Sequence, residues 1–234
     1  MDRSVAKFVE ALKKALGGEL ISIILYGSAA REDFDKKFSD YNLMVVVETL
    51  GLDHLRRLSP LVRWWVRRGN AIPLFVRPAH IEGSKDVFAI EFADMRDHHR
   101  VLYGRDFVQD IEVDREHLRL QCEREVKTGL LGLRSAILER AHSLGGLRRL
   151  LLKSSSSFLA IFRGILRVRG QRPPGPKKDL LKTVTDVTGI SMGVFERILE
   201  AREGKTPVAR SEVLPLLEQY LTTLQEVASY VDGL

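Results

Sequence analysis

The spacing of hydrophobic residues divides the chain into two parts. In the first part, short apolar runs bounded by glycine, proline or polar residues predict β-strands. The predicted strands are Leu20–Tyr26, Asn42–Val47, Ala71–Val76, Val87–Phe92 and a short extended segment, Arg100–Tyr103. Apolar residues recur every three or four positions in Val5–Leu16 and Leu52–Arg68, a spacing that predicts amphipathic helices. Residues 1–112 are therefore expected to form an α/β domain.

From Val113 onward the spacing of apolar residues is helical throughout. Asp114 can cap a long helix that reaches about His142, and Gly145-Gly146 are expected to interrupt the chain there. Later helices are predicted at Leu147–Val168, Lys177–Thr188, Ser191–Ala201 and Ser211–Val231. Short loops between helices favour an antiparallel bundle, so residues 113–234 are expected to form an all-α domain.

Polar residues at the ends of two predicted strands suit the binding of phosphate and metal. The first strand ends in Gly27-Ser28, where backbone N–H groups and a hydroxyl can face a phosphate, helped by a short helix that starts there. Asp40 stands at the mouth of the second strand, and side chains alternate along a strand, so Asp40 and Asn42 share one face. Their oxygens can converge on one divalent cation beside that phosphate.

This pattern resembles the signature of the nucleotidyltransferase superfamily that includes DNA polymerase beta and kanamycin nucleotidyltransferase. The family pattern is Gly-Ser, a spacer, and Asp-x-Asp on the next strand. Gly27, Ser28 and Asp40 match it, and Arg31 resembles its usual continuation, whereas Asn42 stands where the second aspartate is expected. The resemblance implies an α+β fold, with a mixed sheet flanked by helices and then a helical bundle, as in kanamycin nucleotidyltransferase.

The resemblance also implies an activity, which is the transfer of a nucleoside monophosphate from an NTP to an acceptor that the sequence does not identify. Gly27, Ser28 and Arg31 would bind the nucleotide. Asp40 and Asn42 would act as catalytic residues that hold Mg²⁺, with Mn²⁺ as an alternative ion.

The third metal-binding carboxylate of the family sits on a later strand, but Ala71–Val76 contains no acid. Glu91, within the apolar run Val87–Phe92, is the best replacement as a catalytic and metal-binding residue, and Asp94 is a weaker one. A lone acid in an apolar strand needs a partner, so a structural ion pair between Glu91 and an arginine is the competing interpretation.

Each of the other candidate residues also has a purely structural interpretation. Gly27 suits a tight turn and Ser28 suits a helix N-cap. Asp40 fits a polar strand start, and Arg31 fits an ion pair with a nearby acid. Asn42 carries no charge, so it is equally compatible with a site that has lost catalysis.

These alternatives define a second hypothesis, in which the same fold binds nucleotide or RNA with little turnover. An antitoxin-like interaction protein is a third hypothesis.

The distribution of charge along the chain bears on the second and third hypotheses. The net charge is +6, residues 1–112 hold 17 basic and 17 acidic residues, and residues 147–182 hold ten basic residues against Asp179 alone. A basic segment of this kind can bind the phosphates of RNA or of a nucleotide, although a solvated helix face explains it too.

The sequence excludes several other classes of protein. No apolar run approaches the roughly 20 residues that a membrane helix requires, and the N-terminus lacks the apolar region of a signal peptide. The single cysteine, Cys122, rules out an internal disulfide and fits a reducing cytoplasm. A homodimer through a helical face is an option that the sequence leaves open.

Overall fold

The computed structural model describes residues 2–30 and 40–234, which belong to two compact units. The first unit extends to Val113 and the second begins at Asp114. The first combines a mixed sheet with helices and the second is helical, so the predicted α+β fold class is confirmed.

The first unit is built on a sheet of four described strands in the order β3-β2-β1-β4. They are β1 (Leu20–Tyr26), β2 (Asn42–Val47), β3 (Leu74–Val76) and β4 (His99–Gly104). β1 runs antiparallel to β2 and β4, and β2 runs parallel to β3. The internal position predicted for the second strand from its two apolar faces is confirmed.

Helices cover both faces of this sheet. They are α1 (Arg3–Leu16), α2 (Leu52–Val66), α3 (Pro78–Glu82) and α4 (Ala89–Asp97), with 3₁₀ turns at Gly17–Glu19 and Gly27–Ala30. On one face, residues of α1 and α2 such as Phe8 and Trp65 pack against Leu25 of β1. The rings of Phe8 and Trp65 stack with their centroids 4.4 Å apart. On the other face, Phe92 of α4 packs against Met44 of β2.

The prediction of a strand at Val87–Phe92 is wrong, because α4 begins at Ala89 and continues to Asp97. A short apolar run fits a buried strand and a buried helical segment equally well. The buried residues of α4 continue to Met95 with helical spacing. The predicted strand Ala71–Val76 is also shorter than expected, since only its last three residues pair with β2.

The second unit consists of α5 (Arg115–Arg140), α6 (Leu144–Val168), α7 (Lys177–Thr188), α8 (Gly193–Arg202) and α9 (Val213–Asp232), with a 3₁₀ turn at Arg210–Glu212. The Asp114 carboxylate accepts hydrogen bonds from the backbone at the start of α5, as its predicted capping role requires. The expected break between α5 and α6 is present but lies before Gly145-Gly146, because α5 ends at Arg140, Ser143 caps α6, and both glycines lie in its first turn. Helix α6 packs against each of the other four helices.

No helix among the described residues is long and apolar enough to cross a membrane.

The end of β4 provides a test of backbone packing in the first unit. Gly104 has φ +75°, and a Cβ atom there would lie 1.9 Å from the carbonyl oxygen of Ile21. Gly69 has φ +83° but open space around the same position. We expect Gly69→Ala to lower the free energy of unfolding by about 1–2 kcal/mol through backbone strain alone. Gly104→Ala should cost about 1–3 kcal/mol more, because the neighbouring strand must also shift.

The measurement is urea unfolding followed by tryptophan fluorescence, since both tryptophans of the chain, Trp64 and Trp65, belong to this unit. Equal losses of stability in the two variants would show that β1 and β4 are not packed as described.

Candidate functional site

The corner at the end of β1 is formed by a glycine that no other residue replaces easily. Gly27 has φ +77°, in the left-handed region that side chains with a Cβ rarely occupy. It opens the 3₁₀ turn that includes Ser28, and both residues are half-buried. The expected short helix is therefore a single 3₁₀ turn in the described residues. A left-handed glycine followed by a turn can group backbone N–H donors around an anion.

The Asn42 side chain fills the space beside this corner. A Cβ built on Gly27 would lie 3.0 Å from the Asn42 Nδ2 atom. The sheet register explains the proximity, because Tyr26 and Asn42 are direct partners across β1 and β2. The amide oxygen of Asn42 lies farther from that point than its nitrogen does.

Consecutive residues around the start of β2 lie on opposite faces of the sheet. Tyr41 packs with the core on the α1 and α2 face. Asn42 alternates with Leu43, which belongs to that same core, so Asn42 lies on the face that α4 covers. Asp40 is exposed, and its charge acts on Tyr26, whose side chain packs against the α4-face core. Asp40 precedes β2, and its shared face with Asn42 stays a prediction.

Glu91 reaches the same region from an unexpected element. It lies in the first turn of α4 and is exposed, whereas its neighbours Ile90 and Phe92 are buried. Burial raises the pKa of the Tyr26 phenol, and the negative charges of Asp40 and Glu91 raise this pKa further. The pKa of Tyr26 therefore depends on both carboxylates, although Asp40 precedes β2 and Glu91 lies on α4.

Tyr26 is the residue of this site that sequence reasoning missed. It occupies the last position of β1, pairs with Asn42 on one side and with His99 on the other, and is half-buried. The His99 ring forms a hydrogen bond with the Met95 carbonyl (2.8 Å), which joins β4 to the end of α4, and another with the Asp106 carboxylate (2.7 Å), which follows β4. In the sequence, the signal that pointed to Tyr26 was its position directly before Gly27.

The remaining predicted residues lie in different parts of the chain. Arg31 lies outside the residues that the structure describes. Asp94 is half-buried farther along α4. Arg163, one of the ten basic residues in the segment 147–182, is 4% exposed, so its guanidinium does not belong to a basic surface.

The predicted metal ligands all offer oxygen donors, which Mg²⁺ prefers. Within the described part of the chain, no three His, Cys, Asp or Glu side chains gather in a way that could hold a metal ion. Mg²⁺ in nucleotide sites is commonly held by one or two carboxylates together with substrate phosphates. The assignment of Asp40, the Asn42 amide oxygen and Glu91 as metal ligands stays a prediction.

Comparison with solved structures identifies the fold. The chain is similar to spectinomycin adenyltransferase AAD(9) from Enterococcus faecialis, whose crystal structure contains ATP and spectinomycin. The TM-score is 0.59 at 14% sequence identity, and the match covers 95% of this chain and 98% of that one. No family model matches the sequence, and no curated protein matches it. The chain therefore shares the fold of this adenyltransferase.

The proximity of the two carboxylates to one phenol can be tested without substrate. We expect Asp40→Asn and Glu91→Gln each to lower the pKa of Tyr26, because each removes a negative charge that disfavours the phenolate. Asp53→Asn, which removes a charge from α2 on the other face, should leave this pKa unchanged. The measurement is NMR titration of protein labelled at tyrosine Cζ, with Tyr26→Phe to assign the resonance. An equal change of the Tyr26 pKa in all three variants, or no change in any of them, would contradict the site geometry.

Proposed function

We propose that this protein is a nucleotidyltransferase that moves a nucleoside monophosphate from an NTP to an acceptor. The observation that carries the proposal is the packing of the Asn42 amide against the left-handed Gly27, with Asp40 and Glu91 close enough to act on Tyr26. The similarity in fold to an adenyltransferase structure containing ATP supports it and makes ATP the first nucleotide to test.

In this proposal the Gly27 corner binds the triphosphate. The backbone N–H groups of the turn and the Ser28 hydroxyl donate hydrogen bonds to phosphate oxygens, and the absence of a side chain at Gly27 lets the phosphates approach the backbone. Arg31 follows this turn in the sequence and adds a positive charge for the same phosphates. Together these groups orient the reacting phosphorus for in-line attack.

Asp40 is the principal metal ligand in the proposal. The amide oxygen of Asn42 and the carboxylate of Glu91 complete a set with two negative charges. A bound Mg²⁺, or Mn²⁺, would neutralise charge that develops on the phosphate oxygens during transfer. Because Asn42 contributes no charge, we expect the affinity for the free ion to be low and the nucleotide to bring the metal with it.

A second candidate function is nucleotide or RNA binding without transfer. Asn42 favours it, since a neutral amide replaces a charged ligand. On α6, Arg148, Arg149 and Lys153 are exposed, and none of them forms an ion pair with another described residue. Arg148 also lines a cavity of about 390 Å³ together with His142 and Arg210. If the second function is correct, we expect nucleotide binding without transfer, and an affinity for RNA that falls steeply as the salt concentration rises.

Label transfer separates the two functions. The purified protein is incubated with NTPs labelled at the α-phosphate, with Mg²⁺ or Mn²⁺, and with panels of aminocyclitols, RNA and proteins as acceptors. We expect transfer to at least one class of acceptor and a loss of at least about 100-fold in Asp40→Asn, because a charged metal ligand is removed. Asp53→Asn serves as the matched control and should keep full activity.

The Asn42→Asp variant tests whether the neutral amide of Asn42 limits metal-dependent transfer. The new carboxylate should increase metal-dependent transfer and lower the stability of the metal-free protein, because a third negative charge joins Asp40 and Glu91. Nucleotide binding without transfer in the native protein, together with transfer gained in Asn42→Asp, would favour the binding function. No binding of any nucleotide to either protein would contradict both functions.

A further inference from the structure

The charge of the first unit is balanced in total but unevenly distributed. Residues 1–112 hold 17 basic and 17 acidic residues. Residues 3–16 and 52–68, which comprise α1, α2 and the two arginines that follow α2, hold nine of the basic residues and two of the acidic ones. The rest of residues 1–112 therefore holds eight basic and fifteen acidic residues. One face of the sheet is thus covered by a basic layer of helices.

The exposed cations of this layer stand in one row on each helix. The basic rows consist of Arg3, Lys7 and Lys14 on α1 and of Arg56, Arg63 and Arg67 on α2 and its C-terminal end. Within each row the intervals are four and seven residues, which keeps the side chains on one side of the helix. At about 1.5 Å per residue, each row is about 16 Å long. Because α1 and α2 pack together on the same face of the sheet, the two rows share one surface.

The charge of the basic rows is not compensated by neighbouring acids. None of the six cations forms an ion pair with another residue that the structure describes. Other surface cations of the unit do form such pairs, as Lys85 does with Glu82 at 2.6 Å. Glu10, the one acid on α1, pairs at 2.8 Å with Lys13, which lies outside the row. The positive charge of this surface is therefore available to a partner.

The arrangement of the cations also has a cost in the free protein. Arg63 and Arg67 are four residues apart, and so are Arg3 and Lys7. Like charges at this spacing repel each other and destabilise a helix. The same unfavourable pattern occurs on two adjacent helices, and an anionic partner would relieve both at once. The pattern therefore indicates a surface that binds a polyanion.

The side chains of the layer favour the phosphates of a nucleic acid over a membrane. The α2 row consists of arginines alone, and a guanidinium can bind a phosphate with two hydrogen bonds. A helix that binds at a membrane surface also buries an apolar stripe in the lipid, yet α1 exposes no large apolar side chain. Leu52 and Leu55 are exposed, but they lie at the start of α2, far along the helix from Arg63 and Arg67.

A further arginine next to the α2 row indicates binding without base recognition. The Arg68 guanidinium lies 4.0 Å from the centre of the Trp64 ring and donates a hydrogen bond to the Trp64 carbonyl at 2.9 Å. The cation is thereby held beside the row, and it covers a face of the ring on which a base would otherwise stack. Contacts to phosphates fix a nucleic acid in place but carry no sequence information.

We propose that the basic rows bind the backbone of double-stranded DNA. Packed helices are about 8–10 Å apart, between the widths of the two grooves of a DNA duplex, about 6 and 12 Å. Each row therefore follows one of the two backbones that border a groove. An RNA duplex fits less well, because one of its grooves is deep and narrow and the other wide and shallow.

This surface is separate from both candidate functions. It lies on the face of the sheet opposite to Asn42, and it does not depend on nucleotide binding at the Gly27 corner. It also differs from the exposed cations of α6, which belong to the other unit.

Fluorescence anisotropy with a labelled DNA duplex and the full-length protein tests the proposal over a series of salt concentrations. We expect the logarithm of the affinity to fall with the logarithm of the salt concentration with a slope of about −5, since each of the six neutralised phosphates contributes about −0.9. Replacing the α2 row, in Arg56→Gln/Arg63→Gln/Arg67→Gln, should make this slope shallower by about 3 and lower the affinity at low salt at least about tenfold.

The matched control removes the same charge from other elements of the same unit. Arg77→Gln/Arg100→Gln/Arg105→Gln replaces three exposed arginines outside α1 and α2 and should keep the native slope and affinity. Duplexes of two unrelated sequences should bind with the same affinity, because the bases are not contacted.

Several results would overturn the proposal. They are equal losses of affinity in the two triple variants, a loss only when the exposed cations of α6 are replaced, and no binding to the duplex at low salt. Tighter binding to an RNA duplex, or to vesicles that contain phosphatidylserine, would also overturn it, because the surface would then serve a different partner.

Discussion

The contact between Gly27 and the Asn42 amide is the constraint on which the candidate site depends. The left-handed backbone at Gly27 turns the chain away from β1, and the side chain of Asn42 occupies the space that a Cβ would need. The direct pairing of Tyr26 with Asn42 across the sheet holds these two elements in register. A shift of one residue would move every side chain of β2 to the opposite face, so this register also determines which face receives Asn42.

The core on each side of the sheet fixes the rest of the geometry. Leu43 and Tyr41 belong to the core shared with α1 and α2, which leaves Asn42 to the other face. On that other face, Phe92 buries α4 against the sheet and thereby brings Glu91 near Tyr26. The exposed carboxylate is thus positioned by the burial of its apolar neighbour. The same packing that stabilises the unit gathers the charged groups of the site.

Some features of the fold and of the candidate site could be predicted from the sequence and others could not, for physical reasons. Strand β2 was predictable because its continuous apolar run requires burial on both faces. The position of Glu91 on a helix was not, because a short apolar run has no periodicity that distinguishes the two structures. Ser143 also outweighed Gly145-Gly146 as the determinant of where α6 begins, since a capping hydroxyl satisfies backbone donors that glycine leaves exposed. The place of Tyr26 directly before Gly27 was visible in the sequence, but only the strand register shows that it lies against Asn42. The choice of Asp40, Asn42, Gly27 and Ser28 came from motif spacing and remains a prediction about function.

The most direct test of the central claim is paramagnetic broadening in protein NMR spectra with Mn²⁺ and ATP. If the corner holds a metal nucleotide, adding Mn²⁺·ATP should broaden the backbone amides of Gly27 and Ser28 and the side-chain amide of Asn42. The backbone amide of Leu20, at the opposite end of β1 and roughly 20 Å away, should remain sharp. Persistence of the Asn42 side-chain signal while amides elsewhere in the chain broaden would contradict the claim.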